Sequence, residues 1–184
     1  LSEKPDVDYT PDFFLSFMLS FMKEMSLAKT AVIGHSMGGA IALSIAINHP
    51  DLVTGLLISD SAGLSREVNI GLRLMNIPLV GELLLRPDRD HTAKMLEPFY
   101  YDNSLITEDV VELNARLISQ PGAIPAYLST VRNMSSIFGL DRDLVDAIVD
   151  NLHHIEAPTL VLWGKDDQIV PPDHGRLAAN RIPN

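Results

Sequence analysis

Hydrophobic positions along this chain fall into two rhythms that alternate at first and then stop alternating. Thr30 to Ile33 is a short β-branched block, as a buried parallel strand should be, and Ala40 to Ile47 is rich in Ala, Leu and Ile, as a closely packed helix should be. Upstream, Thr10-Pro11-Asp12 starts a helix, with Thr as cap, Pro at the first helical position and an acid in the first turn. Phe13, Phe17, Phe21 and Met25 then recur every four residues, flanked by Phe14, Met18 and Met22, with Ser16, Ser20, Lys23 and Glu24 on the other side. This spacing predicts a helix laid on a sheet by its phenylalanine face. An interfacial membrane helix would need basic residues on the polar face, and they are lacking. After Asn48-His49-Pro50-Asp51 ends the next helix, Val53 to Ser59 reads as a second buried strand. It runs into Ser59-Asp60-Ser61-Ala62-Gly63, a loop at the carboxyl edge, where open α/β sheets place ligands.

From Arg66 to about Asn151 only helical patterns follow. Ile70 to Leu85 is apolar but interrupted by Pro78 and Gly81. Thr107-Glu108-Asp109 starts a helix to about Ser119, Gln120-Pro121-Gly122 breaks the chain, Ala123 to Met134 is helical again, and Leu144 to Leu152 makes one more. That is too many helices in succession for one crossover, so residues 66–151 are expected to form a helical cap inserted over the sheet edge. Pro158 to Trp163 returns to the strand pattern, Lys165 to Pro171 is a polar turn, and a helix covers Asp173 to Asn180. The expected architecture is α/β: a mostly parallel sheet flanked by helices, carried by residues 1–65 and 152–184.

Composition narrows the function without naming it. A length of 184 residues with 46% hydrophobic content suits one domain with a real core. A net charge of -10 argues against a nucleic-acid partner. No run reaches the ~20 apolar residues of a membrane span. The absence of cysteine removes disulfides, Cys-zinc sites and thiol nucleophiles. Self-association and compartment stay open, with the cytoplasm as the default.

The junction of strand and helix carries the chemistry. Gly34-His35-Ser36-Met37-Gly38 is a G-x-S-x-G pattern between a strand block and a helix block. A strand reversing into a helix within one turn holds its apical residue strained, and the flanking Gly34 and Gly38 are expected to leave room that side chains would fill. This is the setting of a nucleophile elbow, which presents the Ser36 hydroxyl at a helix start. A plain Gly-rich turn is the alternative; a phosphate loop is disfavoured by the lack of G-x-G-x-x-G or G-K-[ST]. A serine nucleophile needs a base, an acid to orient the base, and donors for the oxyanion. The Met37 N–H is the expected oxyanion donor. The acid belongs in a loop after a later strand, where Asp167 is favoured and Asp166 is the alternative. No histidine suits the base. His35 is directed away by the turn, His49 ends a helix, His91 lies in the cap, His153 and His154 precede the last strand, and His174 sits on a helix beside it. The base is therefore expected beyond Asn184, and the second oxyanion donor before Leu1. No metal or cofactor is called for.

Taken together, Gly34-His35-Ser36-Met37-Gly38-Gly39, Asp60-Ser61-Ala62-Gly63 and Trp163 to Pro171 resemble the α/β-hydrolase superfamily over nearly the whole chain. The resemblance implies that Asp167, in a Gly-x-x-Asp turn, is the catalytic acid and that the helical insertion is the cap. Ser104 to Glu108, Gln120-Pro121 and Pro171 to Gly175 look most like the meta-cleavage-product hydrolases, which split a carbon–carbon bond in dienoic keto acids. Two features depart from that subfamily. His35 stands where Asn usually precedes the nucleophile, a variant shared with esterases, and the cap arginine has only Arg116 as a nearby counterpart. The resemblance also implies strands before Leu1 and a strand, histidine and helix after Asn184, so the segment alone is expected to be inactive and prone to aggregate through open edges. The expected function is a serine hydrolase acting on a small, largely apolar carbonyl substrate, an ester or a ring-cleavage keto acid. A receptor-like, non-catalytic relative is the alternative.

Overall fold

The computed structural model describes residues 2–183. Three parallel strands, β1 (Thr30–His35), β2 (Val53–Ser59) and β5 (Thr159–Leu162), lie in the order β1-β2-β5. Gly34 pairs with Ile58 and Ile58 with Val161, so the three carboxyl ends come out side by side. Each connection must cross back along the sheet, as parallel pairing requires. The first crossover is α2 (Met37–Asn48) and the second is the whole stretch between β2 and β5.

The helix α2 is apolar all round because it is covered on several sides: Ala40, Ala42, Leu43, Ile45 and Ala46 are all buried. Together with Leu56 and Ile58 of β2 they form the centre of the main core, closed by Ile148, Leu152, Ile155 and Ala178. In register, Val32, Leu56, Ile58 and Val161 share the face that these helices cover. The opposite face carries Ile33, Leu160 and Leu162, which are exposed, Ile33 by 75%. Among the described residues Thr30 to Ile33 is thus covered on one face only, with Thr30 and Val32 half-buried and Ala31 and Ile33 exposed.

The helix α1 (Pro11–Glu24) starts as the sequence implies: the Thr10 side chain accepts the Phe13 N–H. Its orientation corrects the sequence reading. Met22 is buried and Leu15, Met18 and Leu19 pack on the core, whereas Phe17, Phe21 and Met25 are exposed. A repeat of strictly four residues drifts about 40° per step around a helix, while spacings of three and four stay on one face. Leu15, Met18, Leu19 and Met22 have the latter spacing, so that stripe faces inward.

Between β2 and β5 lie α3 (Ile70–Leu74), α4 (Val80–Leu84), α5 (Arg89–Leu96), α6 (Glu108–Ile118) and α7 (Ala123–Met134). A two-stranded hairpin follows, β3 (Ser135–Ser136) and β4 (Gly139–Leu140), and then α8 (Arg142–Val149). Met75, Leu85, Leu128 and Val131 make a separate cluster that holds α3, α4 and α7 together. Finally α9 (Asp173–Arg181) runs against the end of β5, so closely that a Cβ on Gly175 would lie 2.5 Å from the Trp163 ring. No helix among the described residues is long and apolar enough to cross a membrane.

Candidate active site

Ser36 stands at the carboxyl end of β1 and caps α2 with φ 52° and ψ -121°. A positive φ is costly for a residue with a Cβ, of order 1–3 kcal/mol, and persists only where neighbours impose it. Here four backbone hydrogen bonds do so. The Ser36 N–H donates to the Ser59 carbonyl at 3.0 Å, and the Ser36 carbonyl accepts from Gly39, Ala40 and Ala62. Close approach on either side completes the constraint. A Cβ on Gly34 would fall 2.2 Å from the Gly38 carbonyl oxygen, and one on Gly39 would fall 2.4 Å from Ser61 Oγ. At Gly38 a Cβ would meet open space. The steric requirement expected at Gly34 and Gly38 therefore falls on Gly34 and Gly39, because the turn folds Gly34 under the helix while Gly38 points outward.

Met37 is the first residue of α2, and the first N–H groups of a helix have no partner within it. Its side chain turns instead into a groove between α1, α2 and α8. The loop after β5 is built around Asp167. Its Oδ1 accepts the N–H groups of Ile169 at 2.7 Å and Val170 at 3.0 Å, and its own N–H donates to the Gly164 carbonyl. Asp166 lies exposed, 4.0 Å from the Lys165 ammonium.

Ser36, His35, Asp60 and the loop Gly164 to Val170, Asp166 and Asp167 included, line one cavity of about 460 Å³, roofed by Pro98, Phe99, Tyr100 and Tyr101. The side chain on the elbow and the carboxylate on the following loop thus open onto the same space at the carboxyl end of the sheet. The cavity adjoins a second of about 200 Å³, which shares Pro98, Phe99 and Ile169 and reaches among Leu72, Met75, Met95 and Ile118.

Of the six histidines only His35 lines the Ser36 cavity. His91 Nε2 lies 2.8 Å from the Leu84 carbonyl, the His153 and His154 rings lie tilted with centroids 3.9 Å apart, and His174 is buried in the first turn of α9. Burial pulls the His174 imidazole below its ordinary value of 6.5, with the Glu67, Asp173 and Asp167 carboxylates acting in the opposite sense. Arg116 is exposed near the end of α6 and does not line the Ser36 cavity. Among the described residues no group of three or more His, Asp or Glu could hold a metal ion.

Two features of the cavity escaped the sequence reading. Asp60 was visible only as part of an edge loop; its φ of 46° and its contacts across 104 residues leave no local trace. Phe99 ends a single 3-10 turn (Glu97–Phe99) and Tyr100 and Tyr101 follow it; such an aromatic run in a polar stretch was the one available signal.

A family model described as the alpha/beta hydrolase fold matches residues 2–184. A hydrolase of 2-hydroxy-6-oxononadienedioate and 2-hydroxy-6-oxononatrienedioate from Comamonas testosteroni is 32% identical over 86% of this chain and 54% of its own length. A 2-hydroxy-6-oxo-6-(2'-aminophenyl)hexa-2,4-dienoic acid hydrolase from Metapseudomonas resinovorans is 30% identical over 91% of this chain and 54% of its own. The chain spans about half the length of the curated relatives it matches. A meta-cleavage product hydrolase from Pseudomonas fluorescens shares the fold, with a TM-score of 0.78 at 20% identity over 98% of this chain and 63% of that one. With the matched model running the length of the chain, over a parallel sheet flanked by helices, this chain belongs to the α/β-hydrolase fold family.

Proposed function

We propose that the protein carrying this chain is a serine hydrolase of small, largely apolar carbonyl substrates. The observation that carries the reading is the single cavity onto which strained Ser36 and Asp167 both open. In this reading Ser36 Oγ attacks the carbonyl carbon and passes its proton to a histidine base, while the Met37 N–H donates to the oxyanion. The protonated base then gives that proton to the leaving group, and water releases the acyl group from Ser36 in a second round. Asp167 orients the base, with Asp166 as the alternative acid. The base is assigned to a histidine outside these 184 residues. Five of the six present lie off the cavity; His35, the last residue of β1, lines it, and is set aside on the expectation that the sharp bend directs its ring away from the Ser36 hydroxyl.

The substrate is proposed to be either a carboxylic ester or the carbon–carbon bond of a ring-cleavage keto acid. The printed activities of the Comamonas and Metapseudomonas relatives favour the second. We further take residues 66–151 as the cap, with α8 reaching the main core through Ile148. A non-catalytic, receptor-like use of the same cavity is the competing reading. Labelling with a fluorophosphonate probe separates the two: labelling lost in Ser36→Ala is expected, and no labelling, or labelling unchanged in that variant, would favour the receptor. Turnover of a short acyl ester against a ring-cleavage dienoate then decides the bond cleaved.

A further inference from the structure

The acid loop is tied to the nucleophile's own strand pair through one carboxylate. Asp60 follows β2 directly, in a left-handed backbone conformation with φ 46° that a non-glycine residue adopts only under constraint. Its N–H donates to the Leu162 carbonyl at 3.1 Å, extending the β2–β5 ladder by one bond. Its Oδ2 accepts the Ser59 hydroxyl at 2.7 Å, and its Oδ1 accepts the Gly164 N–H at 2.8 Å. Gly164 is where the chain leaves β5, and its carbonyl accepts the Asp167 N–H. On the other side, the Ser59 carbonyl accepts the Ser36 N–H. A continuous run of bonds therefore leads from the backbone of Ser36 through Ser59, Asp60 and Gly164 to Asp167.

We propose that Asp60 is a positioning residue: its carboxylate fixes the start of the Gly164–Asp167 turn and so sets the place of Asp167 relative to Ser36. This inference rests on the reading of Ser36 and Asp167 as nucleophile and acid. Hydrogen bonds to a charged acceptor are stronger than neutral ones, so losing this one frees the Gly164 end of the loop, while Asn69 still holds the Gln168 and Ile169 carbonyls at the far end. Asp60 would act through Asp167 alone, without touching the reacting atoms.

The test is a double-mutant cycle in the protein that carries this chain, read by ester turnover and by hydrogen exchange of the 164–170 amides. Asp60→Ala is expected to lower kcat about tenfold with KM nearly unchanged, and to speed exchange in 164–170. Asp60→Asn keeps an oxygen for the Gly164 N–H and should restore most of both. In the Asp167→Ala background, Asp60→Ala should cost nothing further in kcat. Equal losses in Asp60→Ala and Asp60→Asn, an undiminished loss in the Asp167→Ala background, or unchanged exchange would each overturn the proposal. Should Asp60→Ala melt below the assay temperature, Ser59→Ala carries the test, with a smaller kcat loss of the same sign that vanishes without Asp167. Full turnover by Ser36→Ala would instead defeat the hydrolase reading, and the exchange measurement would still decide whether Asp60 anchors the loop.

Discussion

At the scale of single residues, the elbow shows how a strained serine is held by its neighbours rather than by its own preference. The four backbone bonds around Ser36 fix a φ of 52°, but they can form only if Gly34 lies under the Gly38 carbonyl. Gly34→Ala is therefore expected to destabilise by roughly 1–3 kcal/mol or to prevent folding, since the clash is with backbone that cannot swing aside. Gly38→Ala, on a helix and facing open space, is expected to be neutral or to stabilise by up to about 1 kcal/mol. Urea midpoints of the two variants check the pair, and a similar loss in both would show that the two glycines serve one steric purpose. A second residue, His174, makes stability depend on pH. Burial lowers its affinity for protons in the folded chain, so below about 6.5 the unfolded chain binds more protons than the folded one. Its contribution is complete above that pH and is lost as pH falls through the lowered value, beyond which the effect is flat. Replacing His174 by Gln should flatten this part of the urea-midpoint profile between pH 8 and pH 5, and an unchanged slope would place the dependence elsewhere.

Elements were legible where one period dominated. Val53–Ser59 and Ala123–Met134 stand where the hydrophobic rhythm puts them, and the β1-turn-α2 junction carries the G-x-S-x-G spacing in its expected strand-to-helix setting. Illegible features had a non-local cause. The hairpin Ser135–Leu140 holds through the Arg66 carbonyl, which accepts the Leu140 N–H, and through Arg73, whose Nε donates to the Ile137 carbonyl. Neither bond has a signature within the hairpin itself. In the site the same division applies. Ser36 and Asp167 stood out by residue type and spacing, whereas Asp60 is defined by a partner more than a hundred positions away. The helix α1 failed for a different reason: it carries two apolar stripes, and the sequence reading centred on the wrong one. Aromatic bulk drew the reading to the phenylalanines, but the spacing of three and four picks Leu15, Met18, Leu19 and Met22. Met22→Ala is accordingly expected to cost about 2–5 kcal/mol by chemical denaturation, against well under half of that for Phe17→Ala. The reverse order would mean that the phenylalanine stripe is the packed one.

Across the whole molecule, the helices between β2 and β5 matter because they supply the roof over the sheet edge. The loop from Gly164 to Val170 is tied on both sides: Asp60 holds Gly164 from the sheet, while the Asn69 N–H donates to the Ile169 carbonyl and Asn69 Nδ2 to that of Gln168. Ile169, Pro98 and Phe99 stand between the space over Ser36 and the more apolar space among Leu72, Met75, Met95 and Ile118. On the proposed hydrolase reading, a substrate with its carbonyl at Ser36 would run an apolar group past Phe99 into the second cavity, whereas a short acyl group would stay in the first. Phe99 is exposed in the empty cavity and lines both spaces, so a substrate that runs along it covers more of the ring than one confined to the first space; a tenfold change corresponds to about 1.4 kcal/mol, within the reach of one ring so covered. Phe99→Ala is expected to raise KM about tenfold for an ester or keto acid bearing an aromatic group and to leave KM for an acetyl ester within about twofold. Turnover at saturation should change little for either, since the Ser36–Asp167 arrangement does not involve this ring. Parallel KM changes for both substrates would show that Phe99 shapes the cavity as a whole, and a fall in kcat alone would show that the roof positions the elbow rather than the substrate.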